Sequence, residues 1–404
     1  MKRRLLPILM TLVLVCALPI WAAFVTSGDV TNPLLTTAGA TSPPDNAATR
    51  LKSAISNGGD VRLTEDIEIS KTLLVTRDVT LDLNGHVLKM TGDGSVLYVK
   101  KDGPDTVTLT ITDSRPQNPH GSYAGLPAGG VITGGKADKG GGILLDGGCT
   151  LKLTGGCITD CHATDTGGGG VVLDGNTAIL YMSGTARIEN CTAGEMWGAN
   201  AIFNFGTMYA DGGTVDGTVN NQGTIRLSEG AAAETVFNGT VYNRSAGTIK
   251  AGRYNETVEN KGTITGGTFC GGMTNDGGKI EDGAYETVTF NSDGGTPVEE
   301  AKVLRGQKVA KPTDDPTKSG YTFIGWEDAD GAYDFSKSVI APLTLTAKWE
   351  KNPSSGGYYY YPTTDTKADD AKGSPKTADP GVALYAALSL LSLTGLTCTG
   401  RKKF

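Results

Sequence analysis

Few residues in this 404-residue chain could do chemistry, and they are scattered. Four aspartates, Asp82, Asp113, Asp146 and Asp174, recur at the ends of short apolar runs, with Arg115 and Lys152 nearby in sequence. Stacked on one face, such carboxylates could hold Ca²⁺ beside a cationic base, the equipment of an eliminative lyase. The simpler reading makes them solvated turn residues. Cys157-x-x-x-Cys161-His162 carries metal-donor atoms, but a ladder of small buried thiols uses the same residues without a metal. His86, His120 and His162 lie far apart in sequence, and they define neither a metal set nor a general-base constellation. Runs such as Gly140-Gly-Gly142 lack the Gly-Lys-Ser/Thr of a phosphate loop. Asp314-Asp315 and Asp369-Asp370 fall in later, different segments. The expectation is a chain without catalytic residues, metal or cofactor.

The elements around these residues read as all-β. Glycine supplies 58 residues, about twice the usual share, with no Gly-X-Y period. Ala47 to Asn57 predicts one amphipathic helix, with Ala48, Leu51, Ala54 and Ile55 on one face, placed to cap the first of the strands beyond it. From Asp60 the period becomes two: Val61 and Leu63, Ile67 and Ile69, Val79 to Leu83, Val107 to Ile111. Gly140-Gly-Gly-Ile-Leu-Leu-Asp146-Gly147 then recurs 28 residues later as Gly168-Gly-Gly-Val-Val-Leu-Asp174-Gly175. The offset grows to 30 between Cys161 and Cys191. A period of this size, built from several short strands, predicts a solenoid whose coils cover each other's strand edges. Ile158 over Ile188 and Cys161 over Cys191 are its expected rungs, and Asp146 with Asp174 and Asp160 with Asn190 its matched polar positions, satisfying turn amides. Asn221-Gln-Gly223, Asn260-Lys-Gly262 and Asn275-Asp-Gly277, with a longer version from Asn243, extend it to residue 286, the Asn and Gly read as turn residues. Five cysteines, Cys149, Cys157, Cys161, Cys191 and Cys270, fall in this body, an odd number that predicts buried thiols rather than a paired framework.

The two ends read as targeting segments. Lys2, Arg3 and Arg4 precede an apolar run, Leu5 to Ile20, and Trp21-Ala-Ala23, the pattern of a signal peptide over 1–23. Residues 24–46 read as a linker. A second apolar run, 381–400, is about one bilayer core in length as a helix and is followed at once by Arg401, Lys402 and Lys403. The whole chain carries a net charge of −7; without the six basic residues at its two ends and Asp379, the acidic excess is 12. That balance disfavours nucleic acid and anionic membrane surfaces as partners. The membrane would be met only through the C-terminal segment.

Three segments carry resemblances. Residues 374–404, with Ser374-Pro375-Lys376-Thr377-Ala378, the apolar run and the basic tail, resemble the sorting signal of sortase substrates of the LPXTG type, with Ala378 where glycine is usual. The resemblance implies cleavage between Thr377 and Ala378 by sortase and covalent transfer of Thr377 to peptidoglycan on a Gram-positive surface. Residues 287–350 resemble one Listeria–Bacteroides repeat, the B-repeat of internalin B, through Phe290, Asp293-Gly-Gly295, Gly320-Tyr321, Phe323, Gly325-Trp326, Phe335 and Leu345-Thr-Ala-Lys-Trp349. That implies a small β-grasp-like module, with Trp326 and Trp349 in its core. Residues 60–200 are similar to right-handed parallel β-helix proteins of the pectin-lyase-like type, through Val79-Thr-Leu-Asp-Leu-Asn-Gly-His86, Leu109-Thr-Ile-Thr-Asp113 and the Gly-Gly coils. A hydrolase of that type would bring paired aspartates, Gly-His-Gly and Arg-x-Lys on the coils; the sequence lacks Gly-His-Gly, and its Arg50-Leu-Lys52 falls in the capping helix.

The expected order is therefore signal peptide, linker, parallel β-helix over 47–286, repeat module over 287–350, flexible spacer over 351–373 and sorting signal. The expected function is adhesion or binding of a glycan or host protein at the cell wall, without catalysis. The alternative is a surface-displayed polysaccharide lyase or glycoside hydrolase.

Overall fold

Strands of three or four residues with alternating burial cannot stand alone, because each leaves an unpaired edge on both sides. In the computed structural model each such strand is covered by its counterpart from the next turn of the chain. The structure describes residues 46–353 except 166 and 195–198. The segments expected as signal peptide and sorting signal, both apolar runs and the expected spacer beyond residue 353 lie outside them. Among the described residues, no helix is long and apolar enough to cross a membrane.

The helix Ala47–Asn57 forms where expected. Asn46 caps it, its side chain accepting from the Thr49 amide at 2.9 Å, and Gly58 ends it at φ +81°. Leu51 and Ile55 are buried in the core of the first coil, and Ala48 and Ala54 pack against it.

Successive coils then stack with parallel strand pairing. Gly59–Arg62 lies under Val79–Asp82, and that strand under Val107–Thr112. A second row begins with Ile67–Ile69 under Val87–Met90. These two rows merge into one seventeen-stranded sheet. A nine-stranded sheet runs in coil order from Leu73–Val75 to Met273–Asn275. A three-stranded sheet adds a further facet to the middle coils. The molecule is mostly β with long parallel sheets, consistent with a β-helix.

The expected register holds at its test points. Ile143 to Asp146 pair with Val171 to Asp174, the 28-residue offset, and Ile158 sits between Ile132 and Ile188. Leu151 pairs with Leu180, so the offset grows in single steps. The Gly-Gly-Gly runs are spaces for the neighbouring coil. A Cβ on Gly142 would lie 2.6 Å from the Ile158 side chain, and one on Gly170 the same distance from Ile188.

One row of the nine-stranded sheet changes character. Its inward side chains are Val75, Val99, Leu145 and Leu173 in the early coils, then Asn204, Asn221, Asn243, Asn260 and Asn275. Each Asn donates from Nδ2 to the Oδ1 of the next, at 2.7–2.8 Å. The first four are fully buried. The turn reading of these residues is corrected: none has positive φ. Two of their glycines serve close approach, since a Cβ on Gly223 or Gly262 would lie 2.0 or 2.2 Å from the carbonyl oxygen of Gly206 or Gly247, while Gly277 takes the positive φ of a turn, +77°. On the opposite wall Phe237, Tyr254 and Phe269 stack at 4.9 and 5.2 Å, and the Tyr254 hydroxyl donates to the Ala251 carbonyl at 2.7 Å.

The expected thiol ladder is corrected in part. Cys149, Cys157, Cys161 and Cys191 are free and buried, but Cys270 is only half-buried. Cys161 and Cys191 are stacked core rungs. Cys157 instead faces outward, under an excursion spanning 113–130 that lays Tyr123 and Leu126 over Val87, Val131 and Cys157. Burial there pushes the Cys157 thiol far above its ordinary value.

The second module begins at Tyr285, two residues before the expected boundary. Its five strands run Ala301–Leu304, Tyr285–Asn291, Leu343–Lys351, Tyr321–Asp328, Gly331–Ala332 in sheet order. Tyr285–Asn291 and Leu343–Lys351 are parallel; the other pairs are antiparallel. No helix lies among residues 287–350, so the β-grasp likeness reaches the sheet alone. Trp326 is buried, edge-on to Phe290 and Phe323, as expected of core. Trp349 is half-buried beside Phe323, its Nε1 donating to the Ser292 carbonyl at 3.0 Å.

The module closes on the last solenoid coil. The Phe269 amide donates to the Arg305 carbonyl at 2.7 Å, and the Gln307 side chain donates to the Phe269 carbonyl. Arg305 pairs with the buried Glu286 at 2.5 Å, while Tyr285 and Leu304 pack on the solenoid core.

Candidate functional site

The four aspartates do not form one column. Asp82 ends a strand of the seventeen-stranded sheet and Asp113 follows the end of another, but Asp82 pairs with Thr112, so the two are out of register. Asp82 accepts from the Asn84 and Ser114 amides, both at 2.9 Å, and pairs with Arg62 at 3.3 Å. Burial would raise its pKa; those donors outweigh burial and hold the carboxyl below its ordinary range. Asp113 accepts from the amides of Gly85, Arg115 and Gly130 at 2.8, 3.2 and 2.6 Å. These two carboxylates fasten corners. Lys152 is exposed on the outward face between Thr110 and Tyr181.

Asp146 and Asp174 are register partners on adjacent coils of the nine-stranded sheet. The reading that they satisfy turn amides is corrected. The Tyr98 hydroxyl donates to Asp146 at 2.8 Å, and the Lys139 ammonium pairs with Asp174. Burial, then the bond to Asp146, pushes the Tyr98 hydroxyl up to about 12. Asp160 and Asn190 are corner residues, both at φ +51°.

The histidines stay apart. His86 Nδ1 lies 3.3 Å from Asp66, and His162 Nδ1 lies 2.7 Å from the Thr192 hydroxyl. His120 is in the 113–130 excursion. Among the described residues, no group of three or more His, Cys, Asp or Glu side chains could hold a metal ion. Arg50 is tied to Glu65 at 3.1 Å, and Asp315 to Lys311 at 3.1 Å. The pentapeptide Ser374, Pro375, Lys376, Thr377, Ala378 lies outside the described residues.

The structure adds surface features that the sequence did not offer. A pocket of about 310 Å³ lies beneath the excursion, lined by Asp113, Gln117, Thr185 and Arg187 among others. Its carboxylate is taken up by three backbone amides, and Arg187 donates to the Ala128 carbonyl at 3.1 Å. Arg187 also pairs with Glu189 at 3.8 Å, and Gln117 and Thr185 complete the polar part of the lining. On the outward face Tyr181 and Tyr209 stack at 4.4 Å, and Arg226 lies 5.3 Å from the Tyr209 ring. Leu74 and Phe205 are exposed on the nine-stranded sheet's side of the coils. These groupings join residues from different coils, so they become visible only when the register is known.

Two proteins of Evansella cellulosilytica whose names describe membrane proteins, one of them Gly-rich, are each 39% identical to the chain over 70 residues, 16% of its length. Those stretches are 10% and 8% of the relatives, so the chain spans about a tenth of the length of the curated relatives it matches. No solved structure matches the chain. Residues 287–348, which hold most of the five-stranded sheet and its buried Trp326, match the model of the Listeria–Bacteroides repeat domain.

Proposed function

We propose that this is a cell-surface protein, attached to the wall through Thr377, that presents a right-handed parallel β-helix for binding a glycan or host protein and does not catalyse. The repeat domain and the membrane-protein relatives support a surface location. The paired terminal signals support export and sorting, with the C-terminal segment as membrane anchor if sorting fails. The observation that carries the binding reading is the state of the carboxylates. Asp82 accepts from two corner amides and pairs with Arg62, Asp113 accepts from three corner amides, and Asp146 and Asp174 are held by Tyr98 and Lys139. Glycoside hydrolysis uses two carboxyls flanking one bond, and elimination uses a base with a cationic partner. That commitment of the carboxylates to the scaffold supports binding over catalysis.

Mass spectrometry of muramidase-released wall fragments should show a peptide ending at Thr377 joined to peptidoglycan. Detergent-extractable protein retaining Phe404, with no wall-linked form, would remove the sorting claim. Reducing-sugar and unsaturated-product assays on pectate, pectin and host glycans, with and without Ca²⁺, should show no turnover. Turnover abolished by Asp146→Ala or Asp174→Ala in a folded protein would instead establish the enzyme alternative.

A further inference from the structure

We infer that the repeat module is a mechanical clamp, built to stay folded and to keep the end of the solenoid from peeling when the chain is pulled from its C-terminal side. Two strands carry the chain into and out of the module. Tyr285–Asn291 enters directly from the last coil through the short turn Asp282–Ala284. Leu343–Lys351 is the exit strand, leading toward the spacer. These two strands are direct neighbours and parallel, with Val288, Thr289, Phe290 and Asn291 opposite Leu343, Thr344, Leu345 and Thr346.

Tension draws the Tyr285 end toward the solenoid and the Lys351 end away from it. In parallel neighbours these two pulls slide the strands past each other. The ladder bonds are then loaded together rather than one after another, and the sheet must lose all of them in one event. Both strands are also held on their far sides, the entry strand by Ala301–Leu304 and the exit strand by Tyr321–Asp328. Val288, Phe290, Leu345 and Ala347 are buried in the module core, so sliding also breaks side-chain packing.

The junction fits the same role. A solenoid pulled from its last strand would peel coil by coil, since each coil is held by its neighbour. Here the segment Arg305–Gln307 grips Phe269, a strand of the preceding row, through the Phe269 amide and carbonyl. The Arg305–Glu286 pair ties that grip to the entry strand. Gly306 makes the approach close: its φ is +95°, and a Cβ there would lie 2.8 Å from the Phe269 nitrogen. Load therefore reaches the last coil at two places.

This inference rests on attachment through the C-terminal side, but its test does not need sorting. Forced unfolding reports the height of an unfolding barrier along the pulled direction, so the same fold can be probed in two geometries. The purified full chain would carry handles at exposed cysteines in two double variants. Asp282→Cys with Lys351→Cys pulls opposite ends of the parallel pair and shears it. Asn291→Cys with Lys351→Cys pulls the neighbouring ends of the same pair and unzips it. With four residue pairs loaded at once instead of in turn, rupture in the shear geometry should need the higher force. Equal rupture forces, or a lower force in shear, would overturn the clamp while leaving wall attachment untouched. A failure of Thr377 to reach the wall would remove the attachment and leave the measured clamp standing.

Discussion

Ile158→Asp should lower the stability of the solenoid by about 5 kcal/mol or more, enough to unfold its middle coils. Ile158 is fully buried between Ile132 below and Ile188 above. Truncating such a side chain costs about 2–5 kcal/mol in lost burial and residual cavity. Aspartate adds an unpaired charge among aliphatic neighbours, several kcal/mol more unless it takes up a proton. The Gly142 backbone packs against the Ile158 side chain, leaving no slack for water to reach the carboxylate. In a stacked array the damage spreads, because each coil is held by the interfaces above and below it. Ile158→Val provides the control. It keeps the shape of the rung and should cost about 1 kcal/mol. Urea denaturation followed by far-ultraviolet circular dichroism would read both. An unchanged midpoint for the aspartate variant would mean that Ile158 does not face the core and that the register is wrong.

Features built from local interactions are legible in the sequence. Alternation in Val79 to Leu83 and in Val107 to Ile111 is a one-strand property, and those residues are buried as their period requires. The 28-residue offset is readable because both copies keep an aliphatic triplet ending in Asp-Gly. The helix at Ala47 is readable from its face. The roles of Asp146, Asp174 and Cys157 are not. Their partners, Tyr98, Lys139 and the Tyr123 cover, come from other coils or from an excursion with no repeat to align. The boundary at Tyr285 is hidden because that residue begins one sheet while packing on the core of another. The pocket beneath 113–130 combines an irregular loop with one strand, and no spacing rule links Gln117 to Thr185 and Arg187.

The asparagine row carries the second large expected effect. Asn-x-Gly spells a turn in sequence, yet the structure uses Asn as a core rung whose polar atoms are satisfied by the Asn above and below. Asn243 accepts from Asn221 Nδ2 at 2.8 Å and donates to Asn260 Oδ1 at 2.7 Å and to the Thr263 carbonyl at 3.3 Å. Asn243→Ala removes all three bonds and opens a cavity, so it should cost about 2–4 kcal/mol. Asn243→Leu tests whether volume alone matters. Leucine occupies the same row at Leu145 and Leu173, so an aliphatic core would accept it. Here Asn221 and Asn260 would each keep an amide with its partner missing, and the leucine variant should also be destabilised. Asn243→Asp separates hydrogen bonding from shape. Its second oxygen would face Asn260 Oδ1 and repel it when ionised, while a protonated carboxyl could donate there. Burial favours the neutral acid, which raises the folded-state pKa of the new carboxyl above its unfolded value. The aspartate variant should therefore come nearest to the wild-type protein at acidic pH and fall behind as pH rises through that raised pKa. Urea midpoints of the three variants, measured at acidic and neutral pH against the unsubstituted chain, check the order. A leucine variant as stable as the natural protein would show that the row is held by packing, with its hydrogen bonds contributing nothing net.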